Sequence, residues 1–256
     1  MASVGVTASR AMSLVMPHAG YRYCGRLAAR AAASLATASY SRVIIIGPSH
    51  YQRFAGLASS SHHRWRTPLG DWPVDLAGVQ ALLASCPAVR HDDRAHAPEH
   101  AIEVLLPWLW ALQPQAKLLP LLCGDLSEAA LVQAGAAMAR LCDEHTLLVI
   151  SSDFTHFGQA FGYCPFSVAE APQRLPELDL GAIGCLETGD RQAFEAYVAN
   201  TGATICGQRP LALLLDLQRQ LGQPPLHLLQ YGNSASQTHD YRQVVGYAAM
   251  KGERLP

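Results

Sequence analysis

The chain has 256 residues, half of them hydrophobic and only 15% charged, a composition that excludes a disordered or low-complexity protein and suits a compact α/β body. A formal net charge of -1 gives no electrostatic pull toward nucleic acid or an anionic membrane. The longest apolar run, Val104 to Leu112, is far too short for a bilayer span. Seven cysteines without a CxxC pair, behind an N-terminus with no basic start and long apolar core, read as reduced thiols of a cytoplasmic protein.

In chain order, residues 13–17 read as a short strand, and the alanine-rich 25–38 as a helix. The unbroken β-branched run at 42–47 reads as a fully buried strand. "AGLASSS" and "DWPVD" read as shorter strands of a side hairpin around "TPLG", and "LAGVQALLASC" as a helix. A helix over 99–112, with Pro98 in its first turn, leads to a strand at 116–124. Ser127 caps a helix over 127–142, and 146–152 is another core strand. After a proline-broken stretch, helices are expected near 178–186, 190–200 and 208–221, and "LHLLQYGN" and "RQVVGYAAM" read as closing strands. No repeat or linker divides the chain, so residues 1–256 are expected to form a single domain. The alternation predicts a mainly parallel central sheet covered by helices on both faces.

Three of these apolar runs end in residues able to bind metal. His18 follows "LVMP", His50 follows "IIIGPS", and Asp153 and His156 follow "LLVISS". In open α/β sheets ligands bind beyond the carboxyl ends of the strands, so the four are expected to converge on one crevice. Each has a plainer reading alone: a loop histidine bonded to the backbone, a turn at "GPSH", a helix cap at "SSD". Agreement among three strand ends favours the crevice. Glu99 and His100 open a helix and read as pocket-lining groups, or as a carboxylate complementing the helix dipole. Tyr21, three residues from His18, is a candidate wall or stacking residue, with Tyr23 less so. Asp92, Asp93 and His96 stay outside the site, and His62 and His63 read as surface residues.

The order and spacing of "MPHAGYRYCG", "GPSH", "TPLGDWPVD", "EHAIEVLLPWL", "SSDFTHFG" and "CGQRP" resemble the Memo family, whose prokaryotic members are also called AmmeMemoRadiSam system protein B. The resemblance runs from about residue 14 to 250 and implies the α/β fold of the LigB-type class III extradiol dioxygenases. It implies a mononuclear metal at His18, His50 and Cys206, iron foremost, with copper or zinc as alternatives. Two imidazoles and one anionic donor leave open positions on a metal, and a thiolate in place of a carboxylate softens the set. His156 would serve as the acid–base group beside the metal, with Asp153 orienting it or supporting a ligand. The implied activity is metal-dependent redox chemistry on a small molecule, with ordinary catechols poor substrates because bound oxygen would endanger the thiolate. AMMECR-type and radical SAM proteins are the implied partners. The alternative is a non-catalytic module binding signalling peptides in the same crevice, against which the dispersed arginines count. Metal-free protein is expected to have one fast-reacting thiol, at Cys206.

Overall fold

The computed structural model describes residues 10–35 and 38–255. β1 (Ala11–Met16) leads through α1 (Tyr21–Ala33) to β2 (Arg42–Pro48) and β3 (Leu57–Ser59). A hairpin of β4 (Arg64–Thr67) and β5 (Gly70–Pro73) precedes α2 (Leu76–Ser85), β6 (Val89–His91) and two single-turn helices, α3 (Asp93–His96) and α4 (His100–Glu103). Next come α5 (Leu106–Leu112), β7 (Lys117–Cys123), α6 (Glu128–Ala139), β8 (Thr146–Ser151) and β9 (His156–Gly158). Three helices follow, α7 (Ala171–Thr188), α8 (Arg191–Thr201) and α9 (Gln208–Gln220), and then β10 (Leu226–Asn233), α10 (Ala235–Thr238) and β11 (Gln243–Glu253).

One sheet runs through the molecule in the order β10-β11-β1-β8-β2-β7-β3-β6, with β9 paired to β11. The centre, β1-β8-β2-β7, is parallel. Antiparallel pairs flank it, β1 with β11 on one side and β7 with β3 on the other. The fold is therefore the expected α/β sheet, parallel at its heart and mixed toward its edges. Central strands read as unbroken apolar runs because both faces are covered. Ile44, Ile46, Leu119 and Ile150 pack with α6, α7 and α9, while Val43, Ile45, Leu118 and Val149 pack with α1 and α5. Alternate residues of one strand thus feed two separate cores.

Three expectations need correction. "AGLASSS" does not join the side hairpin: β3 lies in the main sheet, antiparallel to β7 and parallel to β6, and β5 pairs instead with β4. The helix expected over 99–112 is two helices, because Pro107 near the start of α5 has no N–H to return to the carbonyl of Glu103. The proline-broken stretch is helical from Ala171 onward. Pro172 occupies the first turn of α7, where an N–H is orphaned anyway, and Pro176 forfeits a single bond. α1 ends at Ala33; residues 36 and 37 of the expected 25–38 helix, and residues 1–9 of the leader reading, lie outside the described residues. Among the described residues no helix is long and apolar enough to cross a membrane.

Candidate metal centre

The sheet order makes β1, β8 and β2 neighbours, with Met16 level with Ser151 and Ile46 level with Ile150. Residues just past these strands emerge side by side, which is how His18, Asp153 and His50 meet. Cys206 arrives from the opposite end of the chain, just before α9. Gly207 permits it: a Cβ there would come within 2.3 Å of the Ser152 side chain, and the Gly207 N–H donates to Ser152 Oγ at 3.1 Å. With the start of α9 pressed onto this loop, the Asp153 N–H reaches Cys206 Sγ at 3.2 Å.

His18, His50 and Cys206 each offer one ligand atom, all within 4.8 Å of one another. The expected trio is assembled. Cys206 Sγ stands 3.3 Å from His18 Nε2. The two imidazoles are held by their other nitrogens. His50 Nδ1 donates to Glu99 Oε1 at 2.8 Å, and the His50 backbone N–H donates to Glu99 Oε2 at 2.6 Å. The hydroxyl of Ser151 donates to the carbonyl of Ala101, so it must accept from His18 Nδ1, 2.7 Å away. Both rings therefore present an unprotonated Nε2, the form a metal requires. Both tautomers are set from the first turn of α4, where Glu99 also caps the helix by accepting from the Ala101 N–H at 3.0 Å.

The electrostatics agree with a neutral His18 beside an ionised Glu99. Burial, then the neighbouring His50 and His100, hold His18 well below its ordinary range. Burial works to raise the Glu99 carboxyl, but hydrogen bonds from the His50 ring, the His50 backbone and Ala101 win and bring it down to about 2. Asp153 is raised by burial, partly offset by the His18 N–H at 2.8 Å. Burial and then the Asp153 charge push the Cys206 thiol well above the usual cysteine range. A proton on that sulfur can point at His18 Nε2, so without metal the thiol stays protonated. Burial thus works against a thiolate at Cys206 in the metal-free protein, where a fast-reacting thiol is expected; the exposed cysteine is Cys164. The donor set nonetheless fits a transition metal, because a metal displaces a thiol proton of this kind.

His156 begins β9 and is fixed by Thr204, two residues before Cys206. Its N–H donates to Thr204 Oγ1 at 2.9 Å and its Nδ1 donates to the Thr204 carbonyl at 3.0 Å. Its Nε2 has no hydrogen bond among the described residues. His100 stacks on His50 with centroids 5.0 Å apart and lies edge-on to His18 at 5.6 Å. With Glu99 and His50 it makes a second group able to hold a metal. Tyr21 is placed differently. Its hydroxyl donates to the Val104 carbonyl and its ring meets Trp108, over an apolar hollow with Leu69 and Pro107. Ser151 and Thr204 escaped the sequence reading; only the "SSD" run pointed toward Ser151. His96 is buried against Trp65 and the Ala58 carbonyl, and exposed His62 does find a partner, Asp93, at 3.1 Å.

The family model described as "Memo-like protein" matches residues 3–251. A "MEMO1 family protein" of Methanosarcina mazei is 33% identical over 93% of this chain and 85% of its own length. The human "Protein MEMO1" is 31% identical over 97% of this chain and 88% of its own. Among solved structures, an uncharacterized protein of Escherichia coli K12 aligns with a TM-score of 0.56 at 17% identity, covering 94% of this chain and 99% of that one. That likeness concerns the fold alone.

Proposed function

The chain belongs to the Memo family, and on that premise we propose that it is a mononuclear metal protein acting on a small molecule by redox chemistry, with His18, His50 and Cys206 as the ligands. One observation carries the reading: three ligand atoms lie within 4.8 Å of one another while each imidazole's Nδ1 is already engaged. Iron is the favoured metal and copper or zinc the alternatives, since two imidazoles and a soft thiolate suit all three. Bound iron or copper would supply one-electron chemistry at the open positions of this set.

The chain's own residues supply the rest. Glu99 and Ser151 keep the His50 and His18 rings aimed at one point, and the Asp153 backbone N–H steadies the sulfur. His156, its Nδ1 committed to Thr204, has its Nε2 to take or return a substrate proton. Asp153 positions His18 through its backbone N–H. His100, stacked on His50, borders the open side. Cytoplasmic action alongside AMMECR-type and radical SAM partners completes the proposal, on the strength of the family resemblance.

Elemental analysis of protein purified without chelators tests the reading. About one transition metal per chain is expected in the wild type, and little in His50→Ala, whose circular dichroism should match the wild type. Equal metal in the wild type and a His18/His50/Cys206 triple alanine variant would refute it.

A further inference from the structure

Next to the trio lies a cavity of about 370 Å³ whose wall includes Ser49, Gln52, Arg53, Asp125, Cys206 and Arg209. That volume is in the range of small-molecule sites. Cys206 belongs to both the wall and the trio, and Ser49 adjoins His50 in the chain, so the cavity meets the trio at Cys206.

Its charge is lopsided. Arg53 and Arg209, far apart in the sequence, meet in this wall, against the single carboxylate of Asp125. Two of the arginines dispersed in the sequence therefore share one wall in space. Arg209 is braced from behind. Its Nη1 donates to Glu195 at 3.2 Å, Arg191 donates to the same carboxylate at 3.0 Å, and Arg191 also pairs with Glu128 at 2.8 Å. This ladder from α6 through α8 fixes the guanidinium at the start of α9, and Glu195 itself is not part of the wall. Arg53 has no hydrogen bond or ion pair among the described residues. One arginine is held in place and the other is free to close on a ligand; guanidinium forks suit carboxylate and phosphate groups.

We infer that this cavity seats the anionic group, carboxylate or phosphate, of a small molecule whose other end lies at His18, His50 and Cys206. The placement of that other end rests on the metal reading above; the anion seat does not. Isothermal titration with benzoate, phenyl phosphate and neutral benzyl alcohol tests it on wild type, Arg53→Gln, Arg209→Gln and a remote control, Arg66→Gln. Benzoate or phenyl phosphate should bind the wild type and the control alike, and the tighter of the two identifies the anion. Each cavity variant should weaken that binding about tenfold, the scale of one charge-assisted hydrogen bond, and added salt should weaken it further. Metal content should be unchanged in both variants. Binding of benzyl alcohol as tight as that of the anions, or wild-type anion binding by both variants, would overturn the inference while leaving the metal reading standing. Chelator-treated, metal-free wild type that still binds the anion through Arg53 and Arg209 would uphold the seat as independent of the metal. A phosphotyrosyl peptide that binds more tightly than phenyl phosphate by at least about tenfold, or 1.4 kcal/mol, would overturn the small-molecule assignment.

Discussion

Two buried carboxylates, Glu99 beside the candidate centre and Asp179 in α7, end on opposite sides of the ordinary carboxylate range. Glu99 has a side chain only 1% exposed and accepts three N–H bonds, two from His50 and one from Ala101. Asp179 projects from α7 and accepts one N–H from Thr155 at 3.0 Å and one phenol O–H from Tyr231 at 2.8 Å. Burial pushes both upward. Glu99 ends near 2, whereas Asp179, wholly enclosed and without an imidazole donor, ends at about 6. Depth of burial and the donors that oppose it together decide which carboxylate is an anion in the folded protein.

The comparison can be broken at its stronger side first. Glu99→Gln keeps the shape but replaces an anion serving three donors with an amide that also presents two hydrogens. Metal affinity should fall about 10–100-fold, the usual cost of losing a carboxylate behind a ligand histidine, and stability at pH 7 by roughly 3 kcal/mol. Because Glu99 is depressed in the fold, its contribution is present above about pH 4.5 and disappears as pH falls toward 2. Metal titrations and denaturant melts that match the wild type would show that Glu99 does not hold His50 as described.

Asp179 should give the opposite slope. Its folded value lies above its unfolded 3.8, so the native state binds more protons between about pH 4 and 6 and loses stability as pH rises through that window. Asp179→Asn removes the titration. Its stability relative to wild type should improve by roughly 2 kcal/mol between pH 4 and pH 7, read from urea melts at the two pH values. A stability difference that does not move with pH would sink the assignment.

A smaller change sharpens the same contrast. Tyr231→Phe takes away one of the two donors to Asp179, leaving a buried carboxylate oxygen unsatisfied when ionised. The loss should be about 1 kcal/mol at pH 8 and less at pH 4, where the protonated acid needs that donor less. An equal loss at both values would mean that Tyr231 contributes packing alone.

How much of this was legible beforehand depends on the range of the interaction. The ends of β1, β2 and β8 could be read because unbroken apolar runs stop at Pro17, Gly47-Pro48 and Ser151-Ser152, and parallel sheets bind ligands past such ends. His18, His50, Asp153 and His156 followed from that. Cys206 did not, since nothing local separates it from the other buried thiols; family resemblance supplied it. Asp179 was invisible, being one polar residue in a helix whose partners, Thr155 and Tyr231, lie 24 and 52 residues away. Ser151 gave no sign that it carries the tautomer of His18, because that requires knowing that Ala101 lies across from it. The hairpin error has a similar root: "AGLASSS" has strand character, but only its register with β7 tells which sheet it enters.

The first turn of α4 supports both histidines, through Glu99 to one and through the Ala101 carbonyl and Ser151 to the other. The two rings are therefore not independent adjusters. A small tilt of this four-residue helix would swing both Nε2 lone pairs at once, opening or closing the pair like the jaws of one clamp. Its hinge end is tied to α1 by the Tyr21 hydroxyl on Val104.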